Sequence, residues 1–174
     1  MQRSPPRSPR SPTSTKSISI PKRLSLSTTR VSPDEIHTLD LSRNTTQTQD
    51  SSKITKIEGL EKHFNLIRLN LAGNAIKTIE NLTHLRQLEI LDLSRNSLTN
   101  SGVQQIGILQ GLKKLSLAGN FMQHVPKCLA QLPLLEVLDL SGNNLSLLRE
   151  LRVLSSLQNL HELSTLGNKL CALP

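Results

Sequence analysis

Residues 66–76 read LIRLNLAGNAI, a segment with leucine or isoleucine at its first, fourth, sixth and eleventh positions and asparagine at its ninth. The spacing returns, with few departures, in five further segments: residues 36–44, 88–98, 112–122, 135–145 and 160–170. The ninth-position asparagines are separated by 30, 22, 24, 23 and 25 residues. A segment that recurs at such a period is the sequence signature of a solenoid, in which each copy forms one coil.

The spacing within a copy predicts the structure of each coil. Side chains of a strand alternate, so the fourth and sixth residues point into the core and the third and fifth point outward. A buried asparagine amide can pair with backbone groups that the following turn leaves unpaired. This role is predicted for a ladder of five residues: Asn74, Asn96, Asn120, Asn143 and Asn168. The predicted fold class is an α/β solenoid with a curved parallel sheet on its concave face and short 3₁₀ or helical segments on its convex face.

The segments between the copies differ in length. Residues 45–52 (TTQTQDSS) are predicted to form a polar surface loop inserted after the first copy. The 24-residue interval has room for a helical turn after Asn100 and Ser101, which are candidate caps. In the 25-residue interval, leucines recur at helical spacing between residues 147 and 157 and are interpreted as core. The repeat domain is predicted over residues 34–174, with about six coils and no C-terminal cap, which would leave leucines of the last coil exposed.

Residues 1–33 differ in composition from the rest of the chain. They hold six of the nine prolines and 13 Ser or Thr, and residues 1–30 hold seven Lys or Arg with no acidic residue. Because residues 31–174 carry 14 basic against 13 acidic side chains, seven of the eight net positive charges belong to this tail, which is predicted to be disordered. Its Ser-Pro serines are candidate phosphorylation sites: Ser4, Ser8, Ser11 and Ser32. The alternative is an unregulated solubilising tail.

The outward-facing strand residues form the candidate binding face for a protein partner. Six of them are predicted partner contacts: Arg68, Asn70, Asp92, Lys114, Asp139 and Glu162. Binding energy concentrates at Trp, Tyr and Arg, and this face has no aromatic residue, so Arg68 is the expected anchor and modest affinity is expected. The alternative for the acidic and serine positions is that they are only solvated strand residues.

The sequence offers no catalytic set. Its five histidines are scattered without metal-ligand spacing, and no glycine-rich phosphate loop or nucleophile–base pattern occurs. We therefore expect no enzyme activity, no cofactor, no metal site and no small-molecule substrate. No apolar run reaches the roughly 18 residues of a membrane span, and two cysteines without a secretory leader favour a reducing, cytoplasmic setting. The repeat region lacks the basic excess that nucleic-acid binding needs.

Residues 54–60 and 76–82 each read I-x-x-I-E-x-L, and in this they resemble the short cytosolic class of leucine-rich repeat proteins. That class includes a type-1 phosphatase regulator and axonemal dynein light chain proteins. Residues 36–42 (IHTLDLS), followed by a polar insertion and by residues 57–62 (IEGLEK), resemble the first coils of the centriolin family of centrosomal repeat proteins. The segments LAGN at 117–120 and HVP at 124–126 are also similar to that family's later repeats.

The resemblance implies a scaffold in the cytoskeleton at the centrosome and mother centriole, acting in cytokinesis, the cell cycle and cilium organisation. The expected function is therefore non-enzymatic binding of protein partners, including centrosomal or microtubule-associated ones. Two alternatives remain open: a regulatory subunit that docks a type-1 phosphatase or an axonemal dynein chain on the same face, and electrostatic binding of the basic tail to microtubules or nucleic acid.

Overall fold

The computed structural model describes residues 35–42 and 53–170. The predictions for the tail at 1–33, its four candidate phosphoserines, the polar insertion at 45–52 and the chain beyond residue 170 lie outside these residues. Each copy of the repeat contributes one three-residue strand: β1 (Thr38–Asp40), β2 (Arg68–Asn70), β3 (Ile90–Asp92), β4 (Lys114–Ser116), β5 (Val137–Asp139) and β6 (Glu162–Ser164). The six strands pair in chain order, and all five pairings are parallel.

The register of the sheet follows the repeat. The central leucine of each strand pairs with the central leucine of the next, as Leu69 does with Leu91. In the inner coils these leucines are almost fully buried, with 1% of the surface of Leu69 and Leu91 exposed. Burying one leucine contributes roughly 1.5–3 kcal/mol, so the stacked leucines supply the main stabilisation. The predicted solenoid with a parallel sheet is confirmed.

The convex side is built from 3₁₀ helices after β3, β4 and β5: Gln104–Ile108, Lys127–Gln131 and Leu148–Ser156. They fill the longer intervals, whereas residues 54–60 and 76–82 are irregular segments with bends and no helix. The predicted helical turn after β3 is present, but the prediction of Asn100 and Ser101 as its cap was wrong. Val103 precedes the helix and makes no side-chain capping bond. The geometry is 3₁₀ because i→i+3 bonds span the available distance with fewer residues than an α-helix.

The interpretation of the 147–157 leucines as core was partly wrong. Leu154 and Leu157 are buried, but 47% of the Leu148 surface is exposed. The nine-residue helix Leu148–Ser156 is longer than its five-residue neighbour Lys127–Gln131, and each ends six residues before the next strand begins. The first residues of the longer helix therefore have no helical counterpart in the preceding coil, and Leu148 among them is exposed.

The asparagines lie between successive coils. The Asn96 side chain donates from Nδ2 to the carbonyls of Leu71 (2.9 Å) and Leu93 (3.0 Å). Its Oδ1 accepts the backbone N–H of Ile76 at 3.0 Å. Equivalent cross-coil bonds are made by Asn74, Asn120, Asn143 and Asn168. Each amide thus satisfies backbone groups of its own coil and of the preceding coil, which fixes the spacing of the strands that carry the concave face.

The last coil is less protected than the inner ones. Leu163, the central residue of β6, has 41% of its surface exposed, and Leu166 has 80% exposed. Asn168 keeps its cross-coil bonds but is only partly buried. The central strand leucine of this coil is therefore far more exposed than the central leucines of the inner strands.

Candidate protein-binding face

The parallel register arranges the outward-facing residues in two rows across the sheet. The position-3 row contains the first residue of each strand: Thr38, Arg68, Ile90, Lys114, Val137 and Glu162. The position-5 row contains the last residue of each strand: Asp40, Asn70, Asp92, Ser116, Asp139 and Ser164. The structure therefore brings all six predicted contact residues onto one face, although at least 22 residues separate their positions in consecutive strands.

The position-3 row carries the accessible cations. Arg68 and Lys114 are exposed, and no described residue forms an ion pair or hydrogen bond with either side chain. The neighbouring Lys113 differs, because its Nζ lies 2.9 Å from Oε1 of Glu89. The hydrogen bond with Glu89, aided by its negative charge, raises the pKa of Lys113. Thus Lys113 is engaged within the fold, whereas Arg68 and Lys114 are available to a partner.

The position-5 row has a structural role that the sequence prediction missed. Oδ1 of Asn70, Asp92 and Asp139 accepts the backbone N–H two residues later, at 3.0, 2.8 and 2.9 Å. Such Asx turns are a common use of short polar side chains at the end of a strand. These residues are therefore more than solvated strand positions, since each fixes the turn out of its strand. The signal is visible in the sequence as an Asp or Asn two positions before a small residue.

A groove runs along the face where the strands end. It has a volume of about 840 Å³, and it is lined by the four inner residues of the position-5 row, Asn70, Asp92, Ser116 and Asp139, and by small residues that follow them. The basic side chains of Lys53 and Arg95 line the same groove. It is an open channel lined by polar atoms, which suits a segment of another protein better than a small apolar ligand.

A second group of polar side chains links coils on the convex flank. Oδ1 of Asn100 accepts the backbone N–H of Gln123 and of His124, at 2.9 and 3.2 Å, and its Nδ2 donates to the carbonyl of His124. His124 Nδ1 lies 2.8 Å from Oε1 of Glu150, and Oε2 of Glu150 accepts the backbone N–H of Val125. These contacts join three successive coils, and so Asn100 connects coils instead of capping a helix.

Residues 35–42 and 53–170 contain few other groups that could serve catalysis or ligand binding. No group of three His, Cys, Asp or Glu side chains there is arranged to hold a metal ion. Cys128 is buried, its Sγ lies 3.4 Å from the carbonyl of Val103, and burial raises the pKa of its thiol. None of the helices in the same ranges has the length and apolarity needed to cross a membrane.

Comparison with family models identifies the repeat. Models described as "Leucine rich repeat" match residues 86–145 and 134–172, and one described as "Leucine Rich repeats (2 copies)" matches residues 64–104. Together they extend from residue 64 to residue 172. The chain is a leucine-rich repeat protein. Proteins of this family and fold are typically non-enzymatic modules that bind other proteins.

Individual relatives support the same class. Leucine-rich repeat-containing protein 56 of Rattus norvegicus is 38% identical over 112 residues, which cover 63% of this chain and 20% of that protein. Tsukushi of Gallus gallus is 37% identical over 127 residues, which cover 71% of this chain and 33% of that protein. The solved structure of the leucine-rich repeat protein LIC12759 of Leptospira interrogans superposes with a TM-score of 0.68 at 29% identity. The superposition covers 81% of this chain and 34% of that one. The matched region spans at most a third of these two curated relatives.

Proposed function

We propose that this chain is a non-enzymatic scaffold that binds a protein partner on its concave face. The observation that carries the proposal is the position-3 row, where Arg68 and Lys114 are exposed without an ion-pair partner among the described residues. The asparagine ladder holds their strands at fixed spacing, so the face itself loses less conformational entropy on binding than a flexible surface would. Leucine-rich repeat proteins in general bind other proteins, which supports this assignment.

Charge reversal tests the concave face directly. The full chain and its Arg68→Glu variant are used to capture partners from cell extract, with quantitative mass spectrometry as the readout. Lys127→Glu is the matched control, because Lys127 is an exposed cation on a convex 3₁₀ helix. We expect Arg68→Glu to lose partners that Lys127→Glu retains. An unchanged set of partners in Arg68→Glu would contradict binding at this face.

For the cellular role we propose a cytoplasmic scaffold at the centrosome, linked to cytokinesis or cilium organisation. The support is the likeness of residues 36–42 and 57–62 to the first coils of the centriolin family. Imaging of the tagged full chain beside a centriole marker tests this role. We expect discrete spots at the centrioles that persist after microtubule depolymerisation. A diffuse cytoplasmic signal at all stages of the cell cycle would contradict it.

Two alternatives make different predictions. Docking of a type-1 phosphatase or an axonemal dynein chain is favoured by the I-x-x-I-E-x-L segments, and capture by the full chain should then enrich phosphatase or dynein subunits. Electrostatic binding by the tail is favoured by the seven basic and no acidic residues of residues 1–30. Deleting residues 1–33 should then abolish binding to microtubules or nucleic acid, and binding by the full chain should weaken steeply with salt.

A further inference from the structure

The position-3 row has an alternating chemistry along the solenoid. From β2 to β6 it reads cation, aliphatic, cation, aliphatic, carboxylate: Arg68, Ile90, Lys114, Val137 and Glu162. Ile90 and Val137 are half-buried, whereas the three charged side chains are exposed. Adjacent strands lie about 4.8 Å apart, which places successive charged residues about 9.6 Å apart and the two ends of this series about 19 Å apart.

An α-helix lying across the strands has side chains at nearly the same intervals. With a rise of about 1.5 Å per residue, positions i, i+3, i+7, i+10 and i+14 lie at about 0, 4.5, 10.5, 15 and 21 Å along one helix face. The largest mismatch with the row is about 2 Å at the far end, which the flexible arms of Arg, Lys and Glu accommodate. An extended strand does not match the row. Its residues i and i+3 are separated by about the distance between successive charged residues of the row, but their side chains point to opposite sides of the strand.

The position-5 row restricts how such a helix is oriented. Asp92 and Asp139 lie two residues from the position-3 row, about 6.6 Å away, and their Oδ1 atoms are held in turns. A helix is about 10–12 Å wide and therefore covers both rows. Its acidic side chains are favoured over Arg68 and Lys114 and disfavoured over Asp92 and Asp139. The face thus distinguishes the two flanks of the helix, and Glu162 distinguishes its two ends.

We propose that the concave face binds an α-helix of a protein partner with acidic residues at i and i+7, aliphatic residues at i+3 and i+10, and a basic residue at i+14. The acidic residues pair with Arg68 and Lys114, the aliphatic residues contact Ile90 and Val137, and the basic residue pairs with Glu162. This assignment rests on the proposed binding function of the face and specifies the partner's chemistry.

The test uses the full chain and a synthetic helical peptide. The matched peptide has Glu at i and i+7, Leu at i+3 and i+10, and Lys at i+14 in an alanine- and glutamine-rich background, with a fluorescent label. The control peptide has the same composition and helix content, but its two Glu residues are moved to i+2 and i+9, about 200° around the helix. Fluorescence anisotropy at low salt should give about tenfold tighter binding for the matched peptide.

Charge exchange makes the test specific. The Arg68→Glu, Lys114→Glu double variant should bind the matched peptide about tenfold more weakly than the unaltered chain does. It should regain affinity for a peptide with Lys at i and i+7. Circular dichroism and urea unfolding establish that the variant is folded, which is expected because both side chains are exposed.

The outcomes separate this inference from the proposed function. Equal affinity for the matched and control peptides, or no rescue by the exchanged peptide, overturns the helix inference. If Arg68→Glu still loses its captured partners, the face binds protein segments of another shape and the proposed function stands. If Arg68→Glu also keeps every partner, both proposals are wrong.

Discussion

Replacing Asn120 with alanine should destabilise the protein strongly although the residue contacts no partner. Asn120 is 4% exposed. Its Oδ1 accepts the backbone N–H of Leu98 at 3.0 Å, and its Nδ2 donates to the carbonyls of Leu93 (3.1 Å) and Leu117 (2.9 Å). The alanine variant removes these three bonds, together with a longer one from Nδ2 to the carbonyl of Ala118 (3.2 Å), and leaves the backbone groups of two coils buried without partners.

The magnitude follows from the number of bonds. A hydrogen bond contributes about 1 kcal/mol net, so Asn120→Ala should lower the free energy of unfolding by about 3 kcal/mol. Asn168 is the matched control, because it makes the same three kinds of bond with Leu145, Leu140 and Thr165 but is only partly buried. Water can replace its amide, so we expect Asn168→Ala to cost about 1 kcal/mol.

Urea unfolding followed by circular dichroism measures both losses. The midpoint should fall for both variants at an unchanged slope, and about three times further for Asn120→Ala. Equal losses at the two positions would refute the argument that burial sets the cost. A loss below about 1 kcal/mol for Asn120→Ala would refute the argument that the cross-coil bonds stabilise the stack.

Three further predictions concern packing and reactivity. Gly102→Ala should cost about 3 kcal/mol in urea unfolding, because a Cβ there would lie 2.0 Å from the carbonyl oxygen of Lys77; a neutral substitution would contradict this close approach. Leu91→Ala should cost about 3 kcal/mol and Leu163→Ala about 1 kcal/mol, since 1% of Leu91 but 41% of Leu163 is exposed, and equal losses would contradict the difference in burial. Burial raises the pKa of Cys128 and shields its sulfur, so mass spectrometry should detect iodoacetamide labelling of this residue only after urea is added, and rapid labelling of the folded protein would contradict it.

The parallel sheet could be predicted from the sequence because the spacing of the repeat allows few other arrangements of the strands. Leucines at the fourth and sixth positions must share one side of a strand, and a strand that recurs every 22–25 residues is too far along the chain from the next for a hairpin. The strands must therefore pair in parallel and in chain order, and this pairing places Arg68 beside Ile90 and Ile90 beside Lys114. The residues of the candidate face could therefore be read from the third and fifth positions of each copy of the repeat.

Apart from the asparagine ladder, the contacts between coils could not be read in the same way, because they depend on residues that vary from copy to copy. Asn100 resembles a helix cap in the sequence, yet the coil after it supplies better partners at His124. His63 stands where the next coil has Leu85, and its buried Nδ1 has no hydrogen-bond partner among the described atoms. Arg95 adopts a φ of 54°, at the position where four of the other copies have glycine. The residue changes are visible in the sequence, but the contacts and backbone conformations that result from them are not.

The same repeat that makes the fold predictable also limits how the face can bind. Each inner coil places the leucines of its repeated positions in the core, and each strand leaves only two side chains for a partner, one in each row. No aromatic residue lies among the twelve row positions, so binding energy cannot concentrate at one large side chain and must be collected from several coils. A partner gains that energy only if its own side chains recur at the interval of the strands. Specificity at such a face therefore depends on spacing more than on any single contact, and a partner segment with the right composition but the wrong register should bind weakly.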